Sequence, residues 1–128
     1  MTINNIYEQK HESLFEDIFR RPGAVYRGTP FWSWNTTLNI AQLQRQIDVF
    51  KKMGLGGFHM HSRTGLGTAY LSDDFMDAVK ACTEYAREHD MLAWLYDEDR
   101  WPSGAAGGLV TKDHRYRARY LLFTPFRY

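Results

Sequence analysis

Between residues 31 and 96 the chain alternates three short apolar runs with two amphipathic segments, and each run ends on polar side chains. Phe31-Trp-Ser-Trp-Asn35 reads as a short aromatic strand; one tryptophan of the pair is expected to face the interior and the other the helices. Asn39 then has the character of a helix N-cap, with Gln42 three residues on and Leu38 and Leu43 flanking it as a hydrophobic staple. Ile40, Leu43, Ile47 and Phe50 recur on one helical face, and Gly54 supplies a left-handed stop. Residues 56–61, Gly-Gly-Phe-His-Met-His, read as a second strand. Ser72 caps a second helix, Asp73 and Asp74 suit the positive end of its dipole, and Phe75, Val79, Cys82 and Ala86 mark its buried face. Asp90 takes the left-handed turn into residues 91–96, a nearly all-apolar third strand of the kind covered on both faces.

Strand, helix, strand, helix, strand with connections of this length implies parallel pairing through right-handed crossovers. The expected fold class is therefore α/β, as a partial (β/α) TIM-barrel segment with parallel strands alternating with helices. A closed eight-unit barrel needs roughly 200 residues or more, and this chain has 128. A small open α/β domain and the first part of a larger barrel both fit that length, and the second is the favoured reading. Residues 1–28 form a lead-in, with a short helix carried by Ser13, Leu14, Phe15, Ile18 and Phe19 and stopped at Pro22-Gly23; residues 29–128 form the N-terminal portion of the barrel domain. After Gly108 the alternation lapses, and residues 116–123 read as an extended strand of a different kind.

Composition narrows the function classes. The net charge of +1 argues against a chain devoted to nucleic acid or an acidic membrane surface. His114-Arg-Tyr-Arg-Ala-Arg-Tyr120 interleaves bases with aromatics as single-strand binders do, but the balanced total makes an exposed strand the better reading. No apolar run approaches the roughly 20 residues that span a bilayer, so no membrane partner is expected. The polar opening Met1-Thr-Ile-Asn-Asn-Ile6 shows no secretory signal, and a cytoplasmic location is the expectation. Cys82 stands alone, which excludes an internal disulfide or a cysteine-rich zinc site. Aromatics make up 16% of the chain, enough to supply flat surfaces for sugar rings as well as a core.

Parallel α/β folds place ligand groups at the carboxyl ends of their strands. Here those ends carry Asn35, then His59 and His61, then Asp97-Glu98-Asp99. Asn35 can donate to and accept from a hydroxyl pair, and Trp34 beside it is a candidate wall. Alternation sends Asp97 and Asp99 to one side and Glu98 to the other. Three neighbouring carboxylates can hold sugar hydroxyls, a hard cation or a proton for general-acid work. His59 and His61, two apart on a strand, face the same way, and Arg63 just beyond can clamp a hydroxyl-rich ligand. Trp101 before Pro102, with Ser103 and the glycines after it, gives a loop with one rigid aromatic wall. Two alternatives stay open: a metal-dependent barrel hydrolase using His59, His61 and Asp97, and a non-catalytic α/β interaction module.

Phe31-Trp-Ser-Trp-Asn35, Met53-Gly-Leu-Gly-Gly-Phe-His-Met-His61 and Trp94-Leu-Tyr-Asp-Glu-Asp-Arg-Trp-Pro-Ser-Gly104 with Ala106-Gly-Gly108 resemble the N-terminal barrel segment of glycoside hydrolase family 106, the α-L-rhamnosidase-like enzymes. The resemblance covers roughly residues 22–123, and its specific part is Tyr-Asp-Glu-Asp-x-Trp-Pro-Ser-Gly. It implies a (β/α) barrel, inverting cleavage of a terminal deoxy-sugar, and calcium as a cofactor. It places the catalytic acid and base on later strands, so the isolated chain is expected to be inactive. What carries over is a carbohydrate subsite of Trp34, Asn35, His61, Arg63, Asp97, Glu98, Trp101 and Ser103. An incomplete barrel also leaves sheet edges uncovered, so self-association is expected.

Overall fold

A computed structural model describes Ser13, residues 15–99 and residues 101–126. Leu14 of the expected lead-in helix, and residues 1–12, lie outside the described residues. Helix α1 (Glu16–Arg20) is a single short turn closed by an Arg20–Glu16 ion pair, and a 3-10 turn at Ala24–Tyr26 follows. The chain then runs through β1 (Phe31–Trp34), α2 (Ile40–Lys52), β2 (Gly57–Ser62), α3 (Asp73–Glu88) and β3 (Leu92–Leu95).

Local chemistry sets the boundaries of these elements. The Asn39 side chain accepts the Gln42 amide at 3.0 Å and starts α2; the Ser72 hydroxyl accepts the Phe75 amide at 3.3 Å and starts α3. Gly54 (φ +82°) and Asp90 (φ +54°) turn the chain out of the two helices in the left-handed region, as their residue types predict.

The three strands form one sheet in the order β1-β2-β3, and both pairings are parallel. The register aligns Phe31 with His59 and Trp94, and Ser33 with His61. A methyl group on Gly57 would sit 2.2 Å from the Leu92 carbonyl oxygen, so β2 and β3 approach this closely only because that position carries no side chain. Both helices pack on one face. Trp32, Trp34, Phe58 and Met60 of the strands meet Leu43 and Ile47 of α2 and Phe75, Ala78, Cys82 and Ala86 of α3, all nearly or wholly inaccessible to solvent.

The structure corrects four sequence expectations. Trp32 and Trp34, two apart on a strand, share the helix side, so neither faces the opposite surface. On α3 the fully buried position is Ala78, with Val79 only partly covered. Strand β3 is covered on one face, not two, and all four of its residues keep some exposure. Residues 116–123 form no strand: 3-10 turns at Ser103–Gly108, Val110–Lys112 and His114–Tyr116 lead into an extended tail that pairs with nothing in the sheet. None of the described helices is long and apolar enough to cross a membrane.

Candidate functional site

The face of the sheet turned away from the helices is lined by Phe31 and Ser33 of β1, His59 and His61 of β2, and Trp94 of β3, with Tyr96 just past its end. Period-two alternation puts them there: their odd or even neighbours point into the core. The rings form a connected platform. His59 stacks on Trp94 with centroids 4.8 Å apart and planes 12° apart. His61 lies 4.4 Å from Tyr96, and Phe31 bridges the two imidazoles and Tyr96 at 5.2–5.5 Å. Phe31 is nonetheless 61% exposed, since the platform has no layer above it among the described residues.

Polar groups gather at one end of this platform, where all three parallel strands deliver their carboxyl ends. The Arg63 amide donates to the Trp34 carbonyl at 3.0 Å, and the Tyr96 amide to the Met60 carbonyl at 2.9 Å, so Asn35, Arg63 and Asp97 leave the sheet side by side. Gly65 (φ +99°) packs against Asn35: a side chain there would come within 2.9 Å of its carbonyl oxygen. A recess of about 200 Å3 is lined by Arg63, Thr64, Gly65, Leu66 and Asp99. The Tyr70 hydroxyl donates to the Asp97 carbonyl at 2.9 Å, tying the loop after β2 to the loop after β3.

Glu98 is the buried member of the acidic trio, 9% exposed, and its carboxylate accepts a hydrogen bond from the Tyr96 hydroxyl. Asp97 is exposed and Asp99 half-buried. The expected alternation therefore holds, with Glu98 on the platform side with Tyr96. The electrostatics follow from this crowding. The Glu98 hydrogen bond and charge hold the Tyr96 phenol protonated to higher pH than usual. Burial first, then the charges of Asp99, Asp97 and Glu98, do the same for Tyr70. His61 is pushed below its ordinary value by burial and by the Arg63 charge, and Glu98 opposes that shift.

Of the sequence candidates, the structure brings His59, His61 and Glu98 to the platform and Asn35, Arg63, Asp97 and Asp99 to the rim. Trp101 is 85% exposed on the loop beyond, and Ser103 is half-buried at the start of the 3-10 turn Ser103–Gly108. Trp34 is the exception: at 2% exposure it belongs to the core, edge-on to Phe75 and Trp32. Its neighbour in register, Ser62, is as deeply buried, which removes both from direct contact with a ligand on the open face. Phe31, Trp94, Tyr96 and Tyr70 are absent from the candidates read in the sequence. Alternation outward from His59 and His61, carried across the register, is the signal that finds the first three. Tyr70 comes from a loop fold that no periodicity encodes.

The resemblance implies calcium, and the carboxylates of residues 97–99 are the donors such an ion would need. Among the described residues no three His, Cys, Asp or Glu side chains are gathered where they could hold a metal ion. The set His59, His61 and Asp97 is divided between the stacked platform and the exposed rim. What the arrangement offers without a metal ion is a cluster of stacked and tilted rings beside a carboxylate acceptor, a guanidinium donor and an imidazole held toward neutrality. Comparison with protein-family models, with curated proteins and with solved structures finds no match to this chain.

Proposed function

We propose that the open face and its polar rim bind carbohydrate, and that the chain is the N-terminal part of a (β/α)-barrel glycoside hydrolase of the α-L-rhamnosidase-like kind. The Tyr96–Glu98 pair beside His61 carries the reading. A buried carboxylate, oriented by a phenol and set at the edge of a floor of rings, accepts sugar hydroxyls while the rings take the apolar face of the pyranose. Arg63, across the recess from Asp99, adds a donor that a hydroxyl-rich ligand can bridge. The consecutive parallel strand order, with both helices on one face, supports a barrel segment whose inner surface is this platform.

Inverting hydrolysis requires two carboxyl groups roughly 6.5–9.5 Å apart, with room for a water between them. That pair falls to strands beyond these three, so the 128-residue chain binds sugar and does not turn it over. Titrating the protein with L-rhamnose, with the indole N–H signals followed by NMR, tests the reading. Trp94 should shift at sugar concentrations on the order of millimolar, as expected for a shallow site, while Trp32 and Trp34 stay put. Equal shifts in all three, or none in Trp94, would remove the site. Release of aryl alcohol from an aryl rhamnoside by the isolated chain would show that the acid and base lie within it.

A further inference from the structure

Resting on the carbohydrate reading, we infer that the recess between the loops after β2 and β3 takes two neighbouring hydroxyls of the sugar, and that Tyr70 is the positioning residue that sets its width. The walls come from two loops: Arg63, Thr64, Gly65 and Leu66 follow β2, and Asp99 follows β3. A guanidinium only donates and a carboxylate only accepts. Adjacent oxygens of one sugar ring answer both, one accepting from Arg63 and the other donating to Asp99. Both groups sit on loops, so the distance between them depends on what ties the loops together.

The loop after β2 is held on both sides. Toward β1, the Leu38 amide donates to the Thr68 hydroxyl at 2.9 Å and the Gly67 amide to the Thr36 carbonyl at 3.2 Å. Toward β3, the Tyr70 hydroxyl donates to the Asp97 carbonyl at 2.9 Å, two residues before Asp99. The Tyr70 ring is itself anchored, edge-on to Phe75 of the core with centroids 5.3 Å apart. Gly107 also closes on it: a methyl group there would sit 2.9 Å from the Tyr70 ring and 3.0 Å from the Asp99 carboxylate. Tyr70, Asp99 and the glycine-rich turn therefore meet at one point, and a side chain at position 107 would force them apart.

Two further features keep Tyr70 in this role. Leu71 takes a left-handed φ of +59°, a conformation costly for leucine that persists where surrounding contacts impose it. The hydroxyl also remains a donor at neutral pH, because burial and then the charges of Asp99, Asp97 and Glu98 keep the phenol protonated. Tyr70 touches neither sugar hydroxyl; it acts through the separation of Arg63 and Asp99.

Tyr70→Phe keeps the ring on Phe75 and removes only the hydroxyl, so thermal unfolding should barely change. L-Rhamnose affinity, measured by NMR titration, should fall about fivefold, the net worth of one hydrogen bond. The Asp97 carbonyl shares its peptide unit with the Glu98 amide, so the Glu98 nitrogen signal should move in the variant before any sugar is added. Arg63→Gln should weaken binding by a similar factor. In the double variant the two losses should not multiply, because a recess of the wrong width gains little from its donor. Unchanged affinity in Arg63→Gln would overturn the hydroxyl-pair assignment. Unchanged affinity in Tyr70→Phe, with or without lost stability, would make Tyr70 a packing residue and overturn its positioning role, as would losses that multiply in full. A wild type that binds no L-rhamnose removes the carbohydrate reading and the hydroxyl pair with it. An unmoved Glu98 signal overturns the tie between the loops, whatever the sugar does.

Discussion

The two faces of the sheet come from the same strands, residue by alternate residue, and they do opposite work. On the helix side, Trp32 meets Trp34 and Phe58 edge-to-face, Met60 packs in the same cluster, and α2 and α3 seal them. On the other side every ring either carries a polar atom or stands beside one: two imidazoles, an indole and a phenol, with Phe31 among them. A face built only to be covered by more apolar core has no use for two histidines and a phenol hydrogen-bonded to a buried carboxylate. The difference in composition, more than exposure itself, separates the face that holds the fold from the face we propose for a ligand.

The widest gap between the faces should appear in stability. Phe58→Ala empties a fully buried site beside Trp32 and Phe50 and should cost about 3–5 kcal/mol in urea unfolding. Phe31→Ala, on the open side and 61% exposed, should cost less than about 1 kcal/mol. Equal losses would mean that the open face is packed in solution, and the contrast would disappear. Cys82 gives an independent readout of the closed side. Burial pushes its thiol up to about 12, so a thiol reagent near pH 8 should label it only as the chain unfolds. Prompt labelling under native conditions would show that α3 opens readily from the sheet.

Ligand binding should reverse the order. Trp94→Ala removes the ring that stacks on His59 at the centre of the platform and should weaken L-rhamnose binding about tenfold while altering unfolding little. Phe58→Ala, where it still folds, should leave the sugar affinity unchanged. Loss of binding in both variants would show that the platform depends on the core behind it and is not a separable surface.

The closed face was legible from the sequence and the open one only in part, for a physical reason. Helix caps are local: Asn39 with Gln42, and Ser72 with Phe75, announce themselves within four residues, and the apolar period of each helix identifies the face it buries. The strand assignments and the parallel order follow from that spacing. A strand as short as β1 shows two tryptophans but not which way they turn, and only the strict alternation of the pleat places both in the core. The exposure of β3 was invisible because a run of apolar residues looks the same whether one face or two are covered. The rim depends on long-range loop contacts, such as Tyr70 reaching the Asp97 carbonyl, for which the sequence carries no local sign. The tail misleads most. Its alternation is strand-like, but a strand requires a pairing partner, and the tail pairs with no strand of its own sheet.

The smallest expected effect sharpens the comparison at the polar corner. An unfolded histidine titrates near 6.5, whereas burial and Arg63 hold His61 below that value in the folded chain. The folded state thus favours the neutral ring, and what His61 contributes is complete above the unfolded pKa. It declines as pH falls through the lower folded value. Stability should therefore sag in mildly acidic solution, and His61→Gln should remove part of that slope without changing stability at pH 8. Glu98 works against the shift, so Glu98→Gln should move the His61 ring titration, read by NMR, to still lower pH and widen the interval over which stability is lost. An upward move, or none, would mean that Glu98 does not face the imidazole, and the corner of Tyr96, Glu98 and His61 would lose its claim to act as one unit.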